Sequence, residues 1–203
     1  MVSANDALTR LRQGNYRFVS DSRSHHKTSG QDRRQELMEG QEPFAIVLGC
    51  SDSRVPAEII FDQGLGDLFV IRVAGNVVAP SQVGSVEFAA ERFGTRLVVV
   101  LGHSSCGAVQ ATLEELGRPS GDQSRNLRSI VDRIRPGVET LLSGFEGDPN
   151  GLMNAAVRAN IRVSADHLRH GSEVLEQLIR TAGLVVVGAE YSLETGVVDF
   201  FDA

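Results

Sequence analysis

An α/β fold with a mainly parallel central sheet is predicted by three features of this chain. Four short, continuous apolar runs (44–48, 68–71, 97–101 and 184–188) read as strands buried on both faces. Stretches with helical apolar spacing separate them, which is the alternation that builds parallel sheets. Two of the runs end in short polar segments that hold the only two cysteines, Cys50 and Cys106.

In chain order, Leu8, Leu11, Tyr16 and Phe18 place a loose apolar stripe on a helix over 4–19, followed by a polar, histidine-containing loop at 20–30. A second short helix is expected over 31–40, stopping at Gly40. Phe44-Ala45-Ile46-Val47-Leu48 is the first strand. Pro56 then opens a short helix at Ala57-Glu58-Ile59-Ile60-Phe61, because proline lacks only a donor that a first turn leaves unused. Leu68-Phe69-Val70-Ile71 is the second strand, and Ser81 to Phe93 reads as a helix ended by Gly94. Leu97-Val98-Val99-Val100-Leu101 is the third and most apolar strand. Helix resumes from about Ser105 to Leu116, and a loop rich in Gly, Ser and Pro covers 117–125. Further helices are expected over 126–143 and 152–170. Ser172 caps a last helix through Thr181. Leu184-Val185-Val186-Val187-Gly188 is the fourth strand, and Val197 to Phe201 closes an edge hairpin beyond Glu194-Thr195-Gly196.

With 203 residues, 41% of them hydrophobic, the chain has enough material for one substantial core. A single domain over 1–203 is therefore expected, with 1–40 as a helical arm and 41–203 as the α/β core. There is no internal repeat. A net charge of −6 and a pI near 5.4 argue against nucleic acid as a partner, since phosphate backbones demand clustered Lys and Arg. No apolar run approaches the ~20 residues that span a bilayer. Met1 to Asp6 shows no basic, then apolar, leader pattern. A cytoplasmic location, with reduced thiols, is the expectation.

The two cysteine segments carry the chemistry. Cys50 lies in Leu48-Gly49-Cys50-Ser51-Asp52-Ser53-Arg54-Val55, and Cys106 in Leu101-Gly102-His103-Ser104-Ser105-Cys106-Gly107-Ala108. Two thiolates and an imidazole make three of the four ligands of a tetrahedral zinc, leaving one position for water or for Asp52. A closed structural zinc site would want a further cysteine or histidine, and the chain has no third cysteine. A Cys50–Cys106 disulfide is the alternative that cysteine counting leaves open. Functional groups in open α/β sheets gather beyond the carboxyl ends of strands, and both segments follow a Leu-Gly that closes one. Gly49, Gly102 and Gly107 are expected to let backbone approach the metal. If 50–54 continues extended, Cys50, Asp52 and Arg54 share a face, and Arg54 holds Asp52 ionised. In isolation, Asp-x-Arg is a common surface ion pair, and His-x-x-Cys is a weak motif.

At these residues the sequence strongly resembles the β-class carbonic anhydrases. The likeness covers Cys50-Ser51-Asp52-Ser53-Arg54-Val55 and His103-Ser104-Ser105-Cys106-Gly107. It continues through Ala57 to Phe61, Asp67 to Arg72 and Gly75-Asn76, and is most specific from about 40 to 112. The resemblance implies a zinc lyase with Cys50, His103 and Cys106 as ligands of one Zn²⁺ per subunit, and Asp52 and Arg54 as a catalytic dyad. It implies reversible hydration of carbon dioxide to bicarbonate and a proton, by attack of zinc-bound hydroxide that the dyad orients. It further implies substrate-pocket roles for Gln41, Phe69, Ala74 and Phe88, in a pocket shared between subunits of a homodimer, with a homotetramer as the larger assembly. Some relatives hold a second, regulatory bicarbonate through a tryptophan, an arginine and a tyrosine. Arg72 and Tyr191 match two of these, but Val47 stands in the tryptophan position and the chain has no tryptophan. The open form, with Asp52 paired to Arg54 and off the metal, is therefore expected. His25, His26, His167 and His170 are proton-shuttle candidates by chemistry alone, and the last two are expected to face solvent. Hydration of carbon disulfide or carbonyl sulfide would use the same metal ligands. A non-enzymatic zinc or redox-sensing module would leave Asp52, Arg54 and Gln41 without a purpose.

Overall fold

The computed structural model describes residues 2–23, 30–117, 124–145 and 147–201. Its centre is a five-stranded sheet of β1 (Ala45–Gly49), β2 (Leu68–Arg72), β3 (Leu97–His103), β4 (Val185–Tyr191) and β5 (Val198–Phe201), in the order β2-β1-β3-β4-β5. The first four strands run parallel, and β5 pairs antiparallel with β4. β1 and β3 are buried along their whole length, which is why they read as unbroken apolar runs. Each fully buried Val, Leu or Ile there contributes roughly 1.5–3 kcal/mol relative to exposure.

The helices are α1 (Ala4–Val19), α2 (Gln31–Glu36), α3 (Ala57–Ile60), α4 (Pro80–Arg92), α5 (Gly107–Gly117), α6 (Arg125–Val138), α7 (Pro149–His170) and α8 (Glu173–Ala182). One face of the sheet packs Ile46, Leu48, Val98 and Val100 against α4, α7 and α8 residues such as Val86, Ile161 and Leu175. The other packs Ala45, Val47, Val99 and Leu101 against Ala7 and Leu11 of α1 and Ile60 of α3.

The N-terminal helix is tied to the core through one buried polar side chain. Asn15, buried on α1, donates from Nδ2 to the carbonyls of Ile60 (3.3 Å) and Gly196 (2.9 Å). Its Oδ1 accepts from the Val198 amide at 2.9 Å. One carboxamide thereby joins the first helix to α3 and to the last hairpin.

Most elements lie within two residues of their expected bounds. Ser172 caps α8, accepting from the Leu175 amide at 3.1 Å. The helix expected over 126–143 runs through Pro136, ends at Val138 and tightens into a 3₁₀ turn over Glu139–Gly144. β3 runs to His103, two residues beyond the apolar run, because Gly102 and His103 pair with Glu190 and Tyr191 of β4.

Candidate metal centre

The carboxyl ends of β1 and β3 deliver the three ligand residues to one place. Cys50 follows the last residue of β1, His103 ends β3, and Cys106 immediately precedes α5. All three side chains are buried, and their ligand atoms lie within 4.8 Å of one another. The thiols are free rather than bridged, with Cys50 Sγ and Cys106 Sγ 3.9 Å apart. Two sulfurs bonded tetrahedrally to zinc at about 2.3 Å sit about 3.8 Å apart, so the pair is already spaced for such an ion.

Histidine geometry completes the fit. His103 Nδ1 lies 2.9 Å from the Ser104 carbonyl oxygen. A carbonyl only accepts, so Nδ1 carries the proton and Nε2 presents its lone pair. That Nε2 is fully buried and has no hydrogen-bond partner among the described residues. An orphaned imidazole nitrogen beside two sulfurs is the donor set that soft-to-borderline zinc takes.

A backbone amide supports the Cys50 sulfur: Gly75 N–H donates to Cys50 Sγ at 3.4 Å. The amides that open α5, at Ala108 and Val109, favour the charged form of Cys106. The contact between the two thiols lowers the pKa of Cys50, while the same contact together with burial pushes Cys106 up. For His103, burial opposes charging, but the Cys50 sulfur and the Asp52 carboxylate outweigh it and raise its pKa.

Asp52 and Arg54 meet, though not by the extended route expected. The chain turns at Asp52, with the Val55 amide donating to the Asp52 carbonyl at 3.0 Å. Across that turn Arg54 Nε reaches Asp52 Oδ1 at 2.9 Å, and Nη2 reaches Oδ2 at 2.7 Å. This two-point hydrogen bond holds the Asp52 carboxyl well below the usual carboxylate range. Asp52 Oδ2 is 3.8 Å from His103 Nε2, so the carboxylate stands at the margin of the ligand cluster.

Arg72 contributes something that residue patterning did not predict. Its Nε donates to the Cys50 carbonyl at 3.0 Å and its Nη2 to the Asp52 carbonyl at 2.6 Å. One guanidinium from β2 thus fixes the loop that carries a ligand and the carboxylate. The resemblance matched Arg72 to an arginine of a regulatory bicarbonate site, and nothing in that match marked it as a brace for this loop. Val47 is buried in β1, and the Tyr191 ring packs near Phe18 at 6.4 Å.

Of the three glycines expected to make room, only Gly102 is crowded: a Cβ there would come within 2.5 Å of Ile161 Cδ1. Gly107 has open space, and Gly49 meets only ordinary contacts. The crowding at Gly102 comes from α7 rather than from the metal side.

The remaining pocket residues divide. Ala74 opens the 3₁₀ turn Ala74–Asn76 and so lies next to Gly75 and the Cys50 sulfur. Gln41, Phe69 and Phe88 lie elsewhere. Phe69 pairs with Ile46, four residues before Cys50, or about 13 Å back along the strand at ~3.3 Å per residue. Its ring clusters with Phe88 (6.2 Å) and Phe93 (6.0 Å), and Phe88 is 53% exposed. Gln41 lines a separate cleft of about 890 Å³ with Arg92, Phe93 and Thr95. His167 and His170 are exposed on α7, away from the ligand cluster, while His25 and His26 lie outside the described residues. No helix among the described residues is long and apolar enough to cross a membrane.

Comparison with known proteins agrees with this geometry. The carbonic anhydrase family profile matches residues 45–198. Carbonic anhydrase 2 of Mycobacterium tuberculosis is 39% identical over 191 residues, covering 92% of this chain and 87% of that protein. A carbonic anhydrase of Mycolicibacterium smegmatis is 41% identical over 192 residues, covering 93% and 89% respectively. In fold, the chain is similar to a tetrameric β-carbonic anhydrase of Sordaria macrospora, with a TM-score of 0.77, 21% identity and 98% of both chains covered. With paired thiols and an imidazole gathered at the ends of two parallel strands, and relatives of this kind over nearly its whole length, the chain belongs to the β-class carbonic anhydrases and is a lyase with carbonic anhydrase activity.

Proposed function

We propose that Cys50 Sγ, His103 Nε2 and Cys106 Sγ hold one zinc ion per chain, and that Asp52, steadied by Arg54, directs the nucleophilic water in the hydration of carbon dioxide to bicarbonate. When bound, zinc supplies a Lewis acid that acidifies water at its open position, and two thiolates, which cancel its formal charge, leave it a weaker one than three imidazoles, whose water titrates near about 7.

The observation that carries the reading is the two-point Asp52–Arg54 pair at the margin of the ligand cluster. An ionised carboxylate only accepts hydrogen bonds, so Asp52 can take one from the attacking water and aim its lone pair at carbon. Arg54 occupies both carboxylate oxygens, which favours the open arrangement over one with Asp52 as fourth ligand. Arg72 keeps the loop from swinging by holding the carbonyls on either side of Ser51.

The pocket is completed by a second copy of the chain. β2 forms one edge of the sheet, and the aromatic cluster beside it leaves Phe88 half exposed. A symmetric dimer across that side would bring Gln41, Phe69 and Phe88 of one subunit toward the metal ligands of the other. There Gln41 would donate to an oxygen of the forming bicarbonate, and the rings would favour a linear, uncharged substrate over its anionic product. Higher assembly, as in the tetrameric structure of similar fold, builds on such dimers.

Stopped-flow hydration of carbon dioxide between pH 7 and 9, with zinc content measured on the same sample, tests the reading. Turnover proportional to zinc is expected. Zinc-replete protein that hydrates carbonyl sulfide or carbon disulfide but not carbon dioxide would overturn the substrate assignment.

A further inference from the structure

The buried stripe of α7 is apolar at Ala156, Val157, Ile161, Ala165 and Leu168, and it includes one carboxamide, Asn160, only 1% exposed. Burying a carboxamide among such residues costs free energy that an apolar side chain of similar size would not. Its Nδ2 donates to the Gly75 carbonyl at 2.8 Å, a buried bond across 85 positions of sequence. Oδ1 has no partner among the described residues, nor does Nδ2 of the neighbouring buried Asn76. The desolvated amide therefore makes one contact in return, and that contact is with Gly75.

Gly75 is the residue whose N–H reaches the Cys50 sulfur. It holds a φ of +69°, and a Cβ there would come within 2.9 Å of Ile134 Cδ1 and 3.0 Å of Ala108 Cβ. Glycine is required at this point, and glycine also turns freely between backbone states. The Asn76 N–H of the following peptide is held by the Val73 carbonyl at 3.0 Å, which leaves the Gly75 carbonyl end of that peptide to be fixed if the Gly75 amide is not to rotate off the sulfur. A hydrogen bond to the carbonyl of the same residue opposes that rotation. The tether comes from α7, an element that supplies no ligand.

We infer that Asn160 is a positioning residue of the metal centre: its carboxamide anchors Gly75 so that the Gly75 amide stays on the Cys50 thiolate, and this strengthens metal binding. The inference rests on the zinc reading above. An N–H donated to a ligating sulfur stabilises its negative charge and fixes its direction, and outer partners of this kind typically change metal affinity by about 10–100-fold.

Two variants test it in the full chain, Asn160→Ala and the near-isosteric Asn160→Leu, with Ile161→Val as a packing control in the next residue. Zinc affinity is measured by competition with a chromophoric chelator, and the sulfur-to-metal charge-transfer band is recorded on cobalt-loaded protein. Both Asn160 variants should bind zinc about 10–100-fold more weakly and shift the cobalt band. Metal-free Asn160→Leu should melt at or above the wild-type temperature, and Ile161→Val should keep wild-type affinity. Unchanged affinity and an unchanged band in Asn160→Leu would overturn the inference, as would an equal loss in Ile161→Val. Should neither Asn160 variant fold, wild-type protein loaded with cadmium-113 reads the bond directly by NMR. Scalar coupling between the metal and the Gly75 amide proton supports the inference, and its absence refutes it. Wild-type protein that takes up neither zinc nor cobalt would instead refute the metal reading itself.

Discussion

The carboxyl ends of β1 and β3 and the aromatic cluster beside β2 differ in what one chain completes: the first gathers three metal-ligating side chains, the second gathers none. At the strand ends, three ligand atoms within 4.8 Å, their supporting amides and the Asp52–Arg54 pair all come from one chain. Beside β2, Gln41, Phe69 and Phe88 lie back along the strands, with a half-exposed ring and no ligand residue among them. Under the function proposed above, metal binding is an intrachain property, whereas enclosure of substrate depends on association. Mutations in the two regions should separate those properties.

The largest effect is expected at a ligand. Cys50→Ser removes one sulfur and leaves the His103 lone pair and Cys106 without their partner. Zinc content, read by atomic emission, should fall to background, and activity should fall with it. Full metal and full turnover in that variant would remove Cys50 from the centre.

Next comes Asp52→Ala, which should keep zinc and lose about 10²–10⁴-fold in turnover, the range that a positioned proton acceptor supplies. An unchanged rate with normal zinc would take Asp52 out of the mechanism.

Phe88→Arg probes the other half. It places a charge in the aromatic cluster without touching any residue of the metal centre. Zinc should remain at one per chain, while gel filtration shows dissociation toward monomer and turnover drops by at least about tenfold, the scale of losing a desolvated aromatic contact at an interface. Normal assembly and rate would place the partner surface elsewhere.

Two pH effects are smaller. Activity should rise from pH 7 toward pH 9, because a centre neutralised by two thiolates acidifies water less than one held by imidazoles. Asp52, already ionised, adds no acidic limb in that range. Stability should respond to Asp52 in the opposite region. Its folded pKa lies below the unfolded value near 3.9, so its contribution is present above that value and is lost as pH falls through the folded one. Arg54→Ala should abolish this portion of the acid sensitivity in denaturant titrations at pH 2–5. The effect will be slight, since the Arg54 side chain is 56% exposed.

Much of this protein was legible in residue order. Strands buried on both faces must be continuously apolar, so 44–48 and 97–101 announced themselves, and their polar terminations marked where chemistry would collect. Two thiols and an imidazole in those segments already mark a metal site of the kind zinc takes. Caps such as Ser172 follow from local hydrogen bonding and needed no tertiary information.

Other features depended on residues far apart in the chain. Arg72 grips the Cys50–Asp52 loop, Asn15 joins the first helix to the last hairpin, and Asn160 holds Gly75. Each is a polar side chain whose partner is a backbone carbonyl or amide, and every residue carries such groups. Partner choice therefore leaves no mark in composition or periodicity. Local pattern determined the elements, the ligands and the end of the sheet where they gather. Only the packed structure decided which backbone groups those polar side chains would find, because that depends on how α1, α7 and β2 come to rest against one another.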